Sequence, residues 1–109
     1  MQALLNIENI HSTATAAARK TTEDFLAKHG DRDACGFAWV TVYEKGSTKL
    51  GRALKSVGFK PAYGGGLQLW NPSGSWTQCI TAKEEGARAY ADVLRQFGIE
   101  QAYSGSRVD

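Results

Sequence analysis

Eleven residues in the first half of the chain, Ala34-Cys35-Gly36-Phe37-Ala38-Trp39-Val40-Thr41-Val42-Tyr43-Glu44, alternate in a way that only a strand satisfies. Neighbouring side chains on a strand point to opposite sides of the sheet. Ala38, Val40 and Val42 therefore share a small aliphatic face suited to lying under helices. Phe37, Trp39, Thr41 and Tyr43 share the other, with three aromatic rings. Whatever fold the chain adopts must bury the first face and find a use for the second.

The flanking sequence supplies the helices. Ile10, Ala14, Ala17, Ala18, Thr21, Phe25 and Leu26 recur at three- and four-residue steps, which predicts a helix from Asn9 to His29, with Asn9 or Ser12 as cap and Gly30 as stop. Its alanine-rich face allows close approach to another element. Residues 1–7 read as a docked segment or a frayed end, and Asp31 to Asp33 as a polar turn. Leu50, Ala53, Leu54 and Val57 predict a second helix over Thr48 to Val57, closed by Gly58. Thr81 to Phe97 carries the clearest helical stripe, through Ala87, Tyr90, Ala91, Leu94 and Phe97, with a Thr81/Glu84 capping box and Gly98 at its end.

Two further strands are expected as a hairpin, Leu67–Trp70 and Ser75–Ile80, around the turn residues Asn71-Pro72-Ser73-Gly74, with a last strand over Ile99–Ser106. Phe59 to Gly66, with three consecutive glycines, reads as a connector. After the first helix the order is strand, helix, strand, strand, helix, strand. That order predicts an α+β fold of ferredoxin-like, split βαβ type: a four-stranded antiparallel sheet with two helices on one face. Residues 1–32 form an added helical extension packed on a domain of residues 33–109, one structural unit overall. The extension must lie over the open sheet face or at an edge.

Composition bounds the function. At 109 residues with 42% hydrophobic content the chain can build one core. A formal charge of +2 is too small for strong non-specific polyanion binding by charge alone. No run of apolar residues approaches the roughly 20 needed to cross a bilayer, and Met1-Gln2-Ala3-Leu4-Leu5-Asn6 lacks a signal-peptide pattern, so the expectation is a cytoplasmic protein without a membrane partner.

By strand parity Gln68 and Trp70 join Phe37, Trp39 and Tyr43, with Tyr103 as a further member. An aromatic sheet face of that size marks an interface, covered by the first helix, by another molecule, or by stacked bases. Gly36-Phe37-Ala38-Trp39-Val40 is similar to part of the central-strand pattern of RNA-recognition-motif domains, although it lies on the first strand and lacks the preceding basic residue. A second site is a phosphate or other anion at Ser47, Thr48, Lys49, Arg52 and Lys55, where a strand–loop–helix turn offers free N–H groups and cations. An N-cap and a solvated basic stripe explain the same residues. Cys35 and Cys79 are expected close together, as two small buried thiols or as a disulfide. No catalytic constellation, cofactor motif or metal-ligand spacing emerges: His11 has no acidic orienter placed by sequence, and neither His11 nor His29 has ligand spacing to a cysteine.

The segments Asp33–Val40, Tyr63–Gly66, Leu69–Ser73, Glu85–Ala91 and Ala102–Arg107 together resemble a group of small bacteriophage-encoded proteins. The resemblance covers about Asp33 to Asp109 and implies a phage or prophage origin and an accessory role in the cytoplasm of an infected or lysogenic bacterium. It brings no catalytic or cofactor residue with it. The expected function is a non-enzymatic binding module that uses its aromatic face for homodimer formation or for a host protein. Single-stranded nucleic-acid binding, with Phe37, Trp39 and Trp70 stacking bases and Lys49, Arg52 and Lys55 on phosphates, is the alternative. A nucleotide site or small enzyme at residues 46–49 is a third.

Overall fold

The computed structural model describes residues 6–30 and 34–108. The expected turn at Asp31 to Asp33 and most of the expected N-terminal segment lie outside them. In chain order the elements are α1 (Ile7–His29), β1 (Gly36–Val42), α2 (Lys49–Ser56), β2 (Lys60–Pro61), β3 (Leu67–Trp70), α3 (Ile80–Gln96) and β4 (Ala102–Val108). The fold is α+β: three helices and one four-stranded sheet in the order β2-β3-β1-β4, every neighbouring pair antiparallel.

The hairpin forms at a different place from the one the turn residues suggest. Lys60–Pro61 pairs with Leu67–Trp70, and the glycine-rich connector is its turn, closed by Gly65 N–H to Ala62 C=O at 3.1 Å and Ala62 N–H to Gly66 C=O at 3.0 Å. Gly66 has φ +75, and a Cβ there would stand 2.8 Å from the Val42 carbonyl oxygen, so turn and strand spacing both require glycine. The expected strand Ser75–Ile80 does not form. Asn71-Pro72-Ser73-Gly74 does turn, with Gly74 N–H on Asn71 C=O at 2.9 Å. Beyond it, side chains take the backbone donors that a ladder would need: Ser75 Oγ accepts from Thr77 N–H at 3.2 Å, and Thr77 Oγ1 accepts from Cys79 N–H at 3.1 Å. One isolated antiparallel bridge, Cys35 to Cys79, ties the segment to the sheet.

Burial follows the alternation of β1. Ala38, Val40 and Val42 are buried with Leu50 and Leu54 of α2, Ala87, Tyr90, Ala91 and Leu94 of α3, and Phe59, Leu67, Ile99 and Ala102. Both helices therefore cover the aliphatic face. The helix ends use glycine as expected: Ile99 N–H bonds Leu94 C=O at 3.0 Å around Gly98, and Phe59 N–H bonds Leu54 C=O at 3.1 Å around Gly58. The starts differ. α1 begins at Ile7 after Asn6, upstream of Asn9 and Ser12. α3 begins at Ile80 after Cys79, so Thr81 lies inside the helix and not at its cap, and Glu84 accepts a hydrogen bond from the Ser106 hydroxyl.

α1 lies on neither the open face nor a sheet edge. It packs antiparallel against the flank of α3, burying Ile10, Ala14, Ala18 and Thr22. Thr22 Oγ1–H donates to Ala82 C=O at 2.8 Å, and Tyr90 and His11 meet at 2.7 Å (Oη to Nδ1). Between them, a Cβ on Gly86 would collide with Thr22 Oγ1 and stand 3.1 Å from the Ala18 carbonyl oxygen. The alanine-rich face is thus used for a close helix–helix contact.

Two predictions follow from this contact. Gly86→Val forces α1 and α3 apart and costs about 1–3 kcal/mol of unfolding free energy by denaturant titration, whereas Ala16→Val, on an exposed part of α1, costs well under half of that. Burial holds the His11 pKa below its usual value of 6.5 and raises that of Tyr90, so a protonated phenol meets a neutral imidazole. A group whose folded pKa is lowered in this way stabilises the fold above pH 6.5 and loses that contribution as pH falls below it. The urea midpoint is therefore lower at pH 5.5 than at pH 7.5, and His11→Gln shrinks the difference.

Candidate binding face

The strand register gathers the expected aromatic residues on the side of the sheet away from the helices. Trp39 pairs with Trp70 on β3 and with Gly105 on β4; Thr41 pairs with Gln68 and Tyr103; Phe37 pairs with Arg107; Gln68 pairs with Lys60. Directly paired residues point to the same side, so one face carries Phe37, Trp39, Thr41, Lys60, Gln68, Trp70, Tyr103 and Arg107. Tyr43 extends it just beyond β1.

Two aromatic clusters result. Trp39 and Trp70 lie with ring centroids 4.9 Å apart at 37°, and Phe37 meets Trp70 edge-on at 6.0 Å and 66°. Tyr43 and Tyr103 form the second, 5.8 Å apart at 54°. Trp70, Tyr43 and Tyr103 are each half exposed or more. The Trp70 indole N–H donates to Gln68 Oε1 at 3.2 Å, which fixes its edge and leaves ring surface outward. Trp39 is seated by a glycine: a Cβ on Gly105 would lie 2.6 Å from indole Nε1 and 2.9 Å from Cε2. The indole therefore lies nearly flat across β4.

Charge on this face is of one sign. Lys60 and Arg107 are both exposed, and the Arg107 guanidinium sits 5.9 Å from the centre of the Phe37 ring. Lys83 approaches the same ring from α3, its Nζ 5.7 Å from the centre and donating to Gly36 C=O at 3.1 Å. Among the described side chains that the strands place on the face, none is acidic. A groove of about 480 Å³ runs beside Trp70, lined by Gly58, Lys60, Pro61, Gln68 and Leu69.

The second expected site does not join the first. α2 packs its Leu50 and Leu54 into the core beneath the aliphatic face, so Lys49, Arg52 and Lys55 lie on the opposite side of the sheet from Trp39. Its N-terminus is already engaged: Thr48 Oγ1 accepts from Gly51 N–H at 2.9 Å and faces Glu44 Oε2 at 2.6 Å, while Gln101 holds the other Glu44 oxygen at 3.0 Å. Arg52 donates to the Ser47 carbonyl at 3.0 Å, and the Lys55 side chain runs over Gly46. The Thr48 hydroxyl, one helix N–H and one Arg52 donor are thus engaged within the chain.

Sequence reasoning missed Lys60, whose face follows only once β2 is known, and Trp76, placed in a strand but 97% exposed on the 71–79 segment. It also took both cysteines as buried, whereas Cys79 is buried and Cys35 exposed; both are free thiols. Among the described residues no cluster of three or more His, Cys, Asp or Glu could hold a metal ion. No described helix is long and apolar enough to cross a membrane. No family model, curated protein or solved structure matches the chain.

The seat of Trp39 is testable. With Trp70 and Trp76 replaced by Phe, Trp39 is the sole tryptophan. Gly105→Val in that background lifts the indole, so its emission shifts to the red and acrylamide quenching rises; an unchanged spectrum contradicts the packing.

Proposed function

We propose that the protein is a binding module that works through its open sheet face, and that the ligand class is single-stranded nucleic acid. The observation that carries this reading is the chemistry of the face: rings on the two central strands, with Trp70 half exposed and Phe37 and Trp39 partly buried, polar Gln68 and Thr41 between them, and, among the described residues the strands place there, charge from Lys60 and Arg107. Bases of any kind stack on aromatic side chains, and phosphates seek cations at the rim. The strand order and antiparallel directions support a split βαβ sandwich, an architecture whose sheet takes bases on aromatics of its central strands in RNA-recognition modules. Phage origin, with a role inside the infected cell, fits the same reading.

Self-association is disfavoured by the same charges. A second copy of this face brings no carboxylate to Lys60 or Arg107, so like charges would meet across a self-interface. The phosphate contacts are also reassigned, from the basic stripe of α2 to Lys60 and Arg107.

The test is a fluorescence titration with a 12-nucleotide oligothymidylate from 20 to 200 mM salt, paired with light scattering. Expected are tryptophan quenching on binding and a log–log salt slope of about −1.4, as for two single-strand phosphate contacts. Trp39→Ala or Trp70→Ala each weakens binding at least fivefold, about 1 kcal/mol of stacking. Lys60→Ala with Arg107→Ala flattens the slope, and Lys49→Ala with Arg52→Ala leaves it unchanged. A salt-insensitive dimer that Trp70→Ala splits, without oligonucleotide binding, overturns the proposal in favour of self-association. A monomer that ignores the oligonucleotide overturns it as well.

A further inference from the structure

We infer that Cys35 and Cys79 are a modification site, a thiol pair that closes to a reversible disulfide and fastens the 71–79 segment across the start of β1. The two residues stand directly opposite one another as an antiparallel bridge. Ile80 N–H donates to Ala34 C=O at 2.9 Å, joining the residues that flank the pair, so the cysteines occupy a non-hydrogen-bonded position. At such positions the Cα atoms are about 4.5 Å apart and the side chains leave on the same side, within the roughly 4.4–6.8 Å that a disulfide spans.

Their unequal exposure sets the order of events. Cys35 is open to solvent and Cys79 is fully buried. The oxidant is a low-molecular-weight disulfide of the glutathione class. The Cys35 thiolate attacks one of its sulfurs and expels one thiol, forming a mixed disulfide. The Cys79 thiolate then attacks the Cys35 sulfur and expels the second. Two protein thiols lose two electrons and two protons, and the oxidant leaves as two thiols. With Cys35 at the surface, a small thiol reverses the sequence by the same route.

The product adds a covalent tie to an irregular segment that the backbone already joins to β1 at both ends. Within Asn71 to Cys79, Asn71 Nδ2 donates to Ser75 C=O at 3.1 Å and the Ser75–Thr77–Cys79 chain follows, while Asn71 N–H donates to Ala38 C=O on β1 at 2.9 Å. The segment presents the exposed Trp76 and ends two strand positions from Phe37. The disulfide encloses β1, α2, β2 and β3 in one covalent loop, which restricts the unfolded chain. This inference stands on the bridge and its exposure, and does not need the aromatic face to bind anything.

Treatment of the reduced protein with glutathione disulfide, followed by iodoacetamide in denaturant and intact mass measurement, tests it. The expected product is a monomer lighter by two hydrogens, unalkylated, returned to the dithiol by dithiothreitol, with a thermal midpoint raised by about 5 °C or more. Cys35→Ser, at an exposed position, and Cys79→Ser each abolish the closed product and the shift. Accumulation of a glutathione adduct at Cys35, a covalent dimer, or two alkylated thiols overturns the proposal.

Discussion

The close contact of α1 with α3 decides where the protein's unburied aromatic surface lies. Gly86 leaves no side chain between the helices, so Ala18 and Thr22 reach the α3 backbone and Thr22 bonds the Ala82 carbonyl. Tyr90 and His11 close the other end. An amphipathic helix buries its apolar stripe once. With Ile10, Ala14 and Ala18 set against α3, α1 lies away from the far side of the sheet, where the Trp70 ring stays half exposed.

The second constraint is the alternation of β1. One strand serves two environments because its even positions, Ala38, Val40 and Val42, fit beneath helices while its odd positions carry rings. The strand is central, so both neighbours add to each face: Trp70 and Gln68 from β3, Tyr103 and Arg107 from β4. Gly105 lets the Trp39 indole settle on β4 without a step between strands. The face is consequently broad, ring-rich and edged by cations.

Much of this was legible in the chain. The two faces of Ala34–Glu44, the three helices and the parity of Gln68 and Trp70 follow from period alone, because period reports which side of an element is dry. What stayed hidden depends on choices between equivalent signals. Asn71–Gly74 and Tyr63–Gly66 both have turn composition. The second makes the hairpin because its glycines fit against Val42, while Ser75 and Thr77 divert the backbone donors of the segment after the first. Lys49, Arg52 and Lys55 form a basic stripe in the sequence, yet nothing local says on which side of the sheet their helix packs. The separate fates of Cys35 and Cys79 depend on that same irregular segment, which has no period to read.

The central claim is that the ring-bearing side of the sheet, and not the basic side of α2, meets the ligand. The most direct measurement is a two-dimensional amide and indole NMR spectrum recorded as oligothymidylate is added. Shifts in the indole N–H signals of Trp39 and Trp70 and in the amides of Phe37 and Arg107, with Gly51, Arg52 and Gly86 unmoved, are the predicted result. Shifts concentrated on α2, or a spectrum indifferent to the oligonucleotide, would contradict it.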